Sequence, residues 1–280
     1  MTWRLRVQHR TGFSYAGEVV SSFNEARMTP TTDATQTTLE SRLEVTPAAS
    51  TYRYRDYWGT QVTSFDIHAS HTELGVTATS LVETYLRRTE PGGLSWTDLH
   101  GAQIHDRQSE WLALTPRTDP DGELAELARS AAGSLDPADA AVACVDAARA
   151  EMEYVTGATG VHTSGLEAWD ARKGVCQDFA HISLAMLRSL GLPARYVSGY
   201  LHPNTSAEIG ETIAGESHAW VEWWDGAWIG YDPTNGQPVG EQHVAVARGR
   251  DYRDVTPLKG IYSGPKSSAL GVIVEVTRLM

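Results

Sequence analysis

The stretch "CQDFAHISLAMLRSLGLP", Cys176 to Pro193, restricts the fold more than any other part of this sequence. Phe179, Ile182, Met186 and Leu190 form one apolar stripe at helical spacing, and Ala180, Leu184 and Leu187 form another. A helix that is apolar around nearly its whole girth has to be enclosed by other elements. Gly191 supplies a left-handed cap and Pro193 a stop, so the helix ends cleanly. The chain is therefore expected to build its layers around this helix, which begins at a cysteine.

The first ninety residues supply β-structure. Trp3 to His9, Leu39 to Thr46, Thr51 to Tyr57, Thr60 to Ile67, Glu73 to Thr79 and Leu81 to Leu86 alternate with period two and are rich in Val, Thr, Tyr and Leu. Gly12, Pro30, Pro47, Gly59 and Gly75 read as breaks between them, which predicts a small antiparallel sandwich or barrel-like unit. Pro91, Gly92 and Gly93 mark the start of a linker. The expected division is a β-rich domain over 1–93, a linker over 94–108 and a second domain over 109–280 that ends in the strand "LGVIVEVTRL".

In that second part, "DGELAELARSAAG" and "DPADAAVACVDAARAEMEYV" read as helices opened by Asp caps, with Pro137 in a first turn that tolerates it. Ala141, Cys144, Val145, Ala148 and Met152 share one face, which makes Cys144 a small core residue. After the central helix, "ARYVSGYL", "ESHAWVEWWDG" and "AWIGYDPTNG" read as strands. The final strand can return to either sheet.

Two cysteines in 280 residues exclude a disulfide scaffold and match no paired CxxC zinc pattern. The start of the chain alternates like a strand and carries no signal-like apolar run, so a reducing, cytoplasmic location is expected, without membrane association. A formal net charge of −12 opposes nucleic-acid binding, and the arginines at 248, 250 and 253 are interrupted by Asp251 and Asp254. His162, His202 and His243 read as isolated. With no HExxH or carboxylate-rich loop, no metal or other cofactor is expected.

The chemistry suggested is nucleophilic. Cys176 at the first turn of a buried helix has the helix's partial positive end at its sulfur, and first-turn N–H groups can receive an oxyanion. His218 opens one strand and Asp232 closes the next. A hairpin about Asp225 and Gly226 places them opposite each other at its open end, where the carboxylate can hold the imidazole. Asp178 reads as a first-turn cap, His181 as a buried hydrogen-bonding residue, Asn235 as a turn residue and the tryptophans 220, 223, 224 and 228 as core and wall, one side of which could line an acyl tunnel.

The motifs "GVCQDFAHISLAMLRSLGLPARYVSGY", "HAWVEWW" and "WIGYDPTNG" resemble the three core motifs of the transglutaminase-like superfamily. "GRDYRDVTPLKGIYSG" and the β-rich start with "FNEARMTP" resemble the flanking parts of its bacterial two-domain type. The resemblance implies an α+β fold: a papain-like, transglutaminase-like core preceded by an antiparallel β-rich domain. It implies Cys176 as nucleophile, His218 as general base and acid, and Asp232 as orienting carboxylate. Gln177 and Trp220 are further candidates for oxyanion or substrate contacts. The expected activity is thioester-mediated acyl transfer from an amide of a peptide or protein substrate, to water or to an amine. The alternative is a catalytically silent binding module on the same fold.

Overall fold

Cys176 to Ser189 form a helix, and every residue from Gln177 to Arg188 is buried. The structure, a computed structural model, describes residues 2–85, 92–215 and 217–280. Leu86, Pro91 and Glu216, which bounded expected segments, lie outside the described residues. The first strands are β1 (Thr2–Val19), β2 (Ser21–Ala26), β3 (Gln36–Thr46), β4 (Thr51–Arg55), β5 (Gln61–Ile67) and β6 (His71–Tyr85). Helices α1 (Trp96–Leu99), α2 (Ala102–Arg107), α3 (Ser109–Leu112), α4 (Gly122–Ala132) and α5 (Pro137–Ala150) follow. The short strands β7 (Glu153–Tyr154) and β8 (Lys173–Gly174) flank α6 (Gly165–Ala171), and the central helix is α7 (Cys176–Ser189). The remainder comprises β9 (Ala194–Leu201), β10 (Thr212–Gly215), β11 (His218–Trp224), β12 (Trp228–Asp232), β13 (Gln237–Pro238), β14 (His243–Gly249), α8 (Tyr252–Val255), β15 (Leu258–Ser263) and β16 (Ser267–Arg278).

The fold is α+β with antiparallel sheets. In the core sheet the order is β13-β12-β11-β9-β14. One face of β11, with Ala219, Val221 and Trp223, joins α7 in the main core, and α4, α5 and α6 pack on the other sides of the helix. The stripe Ala141, Cys144, Val145 and Ala148 of α5 is buried as its spacing predicts, while α5 stops at Ala150, short of the partly buried Met152. Fully burying side chains such as Leu184, Met186 and Leu187 contributes roughly 1.5–3 kcal/mol each. Arg188, the one cation on α7, is buried by giving its guanidinium to the carbonyls of Trp111, Ala194 and Arg250 and to the Thr118 hydroxyl.

The β-rich start forms two sheets, ordered β10-β16-β1-β6-β3 and β15-β2-β5-β4. Tyr15, Val19, Met28, Phe65, Ile67, Leu74 and Val76 are packed together between them. Two expected breaks are closures instead: Gly12 and Gly75 pair with each other inside the long strands β1 and β6. A Cβ at Gly12 would lie 1.9 Å from the Leu74 carbonyl oxygen, so glycine serves a close backbone approach there. The expected strands Glu73 to Thr79 and, as far as it is described, Leu81 to Leu86 fall within the single strand β6. Strand β16 pairs with β1 and β15 with β2, so the last segment of the chain completes both of the first two sheets.

Residues 94–108, read as linker, carry α1 and α2, and their approach is fixed to the core hairpin. The buried Asp225 carboxylate accepts the N–H groups of Gly93 and Leu94 at 3.2 and 2.8 Å, and its carbonyl accepts that of Gly92 at 2.8 Å. Among the described residues no helix is long and apolar enough to cross a membrane.

A buried ion cluster joins the layers. Glu222 on β11 accepts from Arg195 of β9 at 2.6 Å and from Arg248 of β14 at 3.1 Å, and Arg248 also reaches Asp33 at 3.0 Å. Burial alone would raise the Glu222 carboxyl, but Arg195 and Arg248 hold it below its ordinary value of 4.5. Removing the carboxylate leaves two largely buried guanidinium groups without the anion they share. Glu222→Ala is expected to lower unfolding free energy by about 3 kcal/mol or more, measured by urea titration. In the parent protein the stabilisation is complete above pH 4.5 and is lost as the pH falls through the depressed native value.

Candidate active site

Cys176 is the first residue of α7, with Val175 as its N-cap. Valine has no side-chain acceptor, so capping comes from Asp178 alone, whose Oδ2 accepts the Val175 N–H at 2.8 Å and the Thr159 hydroxyl at 2.5 Å. Burial raises the pKa of Asp178, although Thr159 and Val175 oppose the shift. Its bond to the Val175 N–H is that of a first-turn cap.

The two thiols differ in setting. Cys144 is fully buried, contacts the Ala128 carbonyl at 3.4 Å and is pushed up to about 12 by burial. Cys176 is partly accessible, with Sγ 3.9 Å from the Ser217 carbonyl oxygen, and it lies near enough to His218 to help raise the pKa of that imidazole.

His218 and Asp232 meet through the hairpin β11–β12, though diagonally. Val221 pairs with Tyr231, which puts Asp232 level with Trp220 and His218 two residues further along the same face. His218 Nε2 lies 2.7 Å from Asp232 Oδ2, leaving Nδ1 for the cysteine side. The Asp232 carboxylate is fully buried and satisfied: Oδ1 accepts the N–H groups of Thr234 and Asn235 at 3.0 and 3.2 Å, and Oδ2 accepts Asn235 Nδ2 at 2.8 Å. Burial opposes its ionisation, and the hydrogen bonds from His218 and His243 more than reverse that, holding it well below the usual carboxylate range. For His218, desolvation lowers the pKa, but Asp232 and Cys176 together raise it to about 10.

Sequence reading missed one member of this cluster. His243, taken as isolated, is buried on β14 with Nε2 3.2 Å from Asp232 Oδ2. The β14–β9 pairing that brings it there spans residues far apart in sequence, and the isolated histidine gave no local signal. Asn235 does more than turn the chain, since its amide also holds Asp232. Burial raises the pKa of Tyr196 and Tyr252, and nearby Cys176 adds to both shifts. His181 is buried and accepts the Tyr252 N–H at 3.2 Å, and burial pushes it down to about 3.

Of the remaining candidates, Gln177 is buried with its amide 3.5 Å from the Gly160 carbonyl. Trp220 is buried beside both His218 and His243, with ring centroids 6.2 and 5.2 Å away. Trp220 and Trp228 line a cavity of about 740 Å³ that extends to His243, while neither Cys176 nor His218 lines it. Trp223 packs on the opposite, helix-side face.

His218, Asp232 and His243 are also close enough to suggest a metal site. The hydrogen bonding argues against one: Gly240 donates its N–H to His243 Nδ1 at 3.2 Å, so the proton sits on Nε2 and that nitrogen has no lone pair for a metal.

Comparison with known proteins places this geometry. Residues 5–83 match the bacterial transglutaminase-like N-terminal region, and residues 125–233, spanning Cys176, His218 and Asp232, match the transglutaminase-like superfamily core. The chain belongs to the transglutaminase-like superfamily. An uncharacterized protein of Mycobacterium leprae is 49% identical over 99% of both chains, and one of Mycobacterium tuberculosis is 33% identical over 98% of this chain and 93% of its own. A protein-glutamine gamma-glutamyltransferase of Pseudomonas aeruginosa is 36% identical over 28% of this chain and 12% of its own. A solved structure from Cytophaga hutchinsonii, provisionally assigned as a cysteine protease, shares the fold with TM-score 0.78 and 23% identity, covering 100% of this chain and 92% of its own.

The electrostatics of the transglutaminase-like site generate a measurable expectation. In Asp232→Asn the main partner of the His218 cation is gone while its burial remains, so its titration midpoint should fall by about two pH units or more, as read by histidine NMR. A midpoint unchanged from the parent would contradict the assignment of Asp232 as the group that keeps His218 charged. The same pair contributes stability that is complete below pH 6.5 and is lost as the pH rises towards 10.

Proposed function

We propose that this protein is a cysteine acyltransferase or hydrolase acting on amide groups of a peptide or protein. The observation that carries the reading is the 2.7 Å contact of His218 with buried Asp232, with Cys176, at the start of a buried helix, near the same imidazole.

Cys176, as thiolate beside the His218 imidazolium, attacks the amide carbonyl carbon. First-turn N–H groups of α7 stabilise the oxyanion, and Gln177 and Trp220 border the site. Collapse breaks the C–N bond as His218 passes its proton to the leaving amine, leaving a thioester on Cys176 and a neutral imidazole. Water or a second amine then gives up a proton to His218 and attacks the thioester, which releases the acid or the new amide and restores the ion pair. Asp232 holds the ring in the required orientation throughout. The name of the Pseudomonas relative supports a protein substrate and the amine route, and the provisional assignment of the Cytophaga protein supports hydrolysis. Two free thiols suit a reducing compartment such as the cytoplasm.

Peptide mixtures incubated with the protein, with and without a primary amine, should show one of three mass changes: loss of ammonia with gain of water, gain of the amine, or backbone cleavage. Cys176→Ala should lower turnover by about 10³-fold or more. Iodoacetamide at mildly acidic pH should label Cys176 and spare Cys144. Equal, slow labelling of both thiols and no mass change would favour the silent binding module.

A further inference from the structure

The Asp232 carboxylate carries two imidazoles, His218 at 2.7 Å and His243 at 3.2 Å. His243 is fully buried, with Nε2 3.2 Å from the Asp232 oxygen that His218 also contacts. On its other side the Gly240 N–H points at Nδ1 at 3.2 Å. Because an N–H can only donate, Nδ1 must offer a lone pair, and the neutral ring then carries its proton on Nε2. His243 is therefore a built-in donor to Asp232. The titratable groups that face it are Asp232 on β12 and His218 on β11, whose ring centroid lies 6.2 Å away, and Trp220 closes another side.

The strand bearing His243 is anchored from the β-rich start of the chain. Gln36 on β3 clamps the backbone of Ala245, its Oε1 accepting the N–H and its Nε2 donating to the carbonyl, both at 2.8 Å. The Thr31 N–H donates to the same carbonyl at 3.0 Å, and the Thr84 hydroxyl on β6 donates to the Glu241 carbonyl at 2.5 Å. These bonds bracket His243 on both sides in sequence.

We propose that His243 is a positioning residue: fixed by Gly240 and by the β-rich start of the chain, it donates to Asp232, fixes that carboxylate against His218 and keeps it ionised. The inference rests on the proposed roles of Cys176, His218 and Asp232. A neutral donor suits this task better than a second cation. If His243 were charged it would compete with His218 for one carboxylate, and burial disfavours that form.

Long-range ¹H–¹⁵N NMR of the full chain with ¹⁵N-labelled histidine tests the geometry directly. His243 should appear as the neutral Nε2–H tautomer from pH 6.5 upward to roughly pH 9. An Nδ1–H tautomer, or a titration in that range, would overturn the proposal. His243→Gln can still present an amide N–H where Nε2 stood, whereas His243→Asn is too short. The His218 midpoint should fall by about one pH unit in H243N, and Cys176 alkylation at mildly acidic pH should slow about tenfold, with both restored in H243Q. An unchanged midpoint and labelling rate in H243N would overturn the proposal. So would H243Q behaving like H243N. If H243N does not fold, the parent's tautomer and the retained midpoint in H243Q decide the matter. Failure of the parent to label Cys176 ahead of Cys144 would instead count against the proposed function, and the His243 tautomer would still be read independently.

Discussion

The buried carboxylate of Asp232 is the interaction on which the site depends. An isolated charge in that position would be costly enough to drive the group neutral. Here the chain gathers donors from three places: the turn that follows Asp232, through Thr234 and Asn235; the neighbouring strand, through His218; and β14, through His243. Each donor requires a different part of the fold to be in register. The carboxylate thus reports whether the hairpin, its closing turn and the β14–β9 pairing have all formed.

Much of this was legible in the sequence because its signals were local. The helical spacing around Cys176 announced an enclosed helix, and the Asp225-Gly226 turn fixed a hairpin that brings His218 and Asp232 together. What could not be read depended on distant pairing. Gly12 and Gly75 looked like breaks because a glycine in a turn and a glycine under another backbone are the same letter. Only their mutual pairing inside β1 and β6 distinguishes them. His243 stayed hidden for a related reason: its partners lie on β12 and in the Gly240 turn, and no fixed spacing connects it with either Asp232 or His218.

The β-rich start of the chain and the core are linked by backbone as well as by packing. Strands β15 and β16, the last in the sequence, complete the first two sheets, and Trp3, Leu5, Val7, Val274 and Val276 share one core with the central helix. Gln36 supplies the clearest local case. Between Ala245 and Ala247 the β14–β9 pairing slips, and the Gln36 amide bonds the Ala245 N–H and carbonyl from the other side. A side chain from β3 thereby does for one residue of β14 what a neighbouring strand does elsewhere, two residues from His243.

Two imidazoles on one carboxylate, with pKa values shifted in opposite directions, show that a nearby charge does not by itself determine protonation. His218 and His243 are both strongly desolvated, and both contact Asp232 Oδ2. His218 has the shorter bond and Cys176 as a second partner that favours its cation, so its pKa rises. His243 has the longer bond, faces the positive charge of His218 and is walled in by Trp220, so desolvation prevails and its pKa falls. A single anion can stabilise one adjacent cation fully or two poorly. Holding the second ring neutral leaves the whole charge of Asp232 for the histidine that faces the thiol.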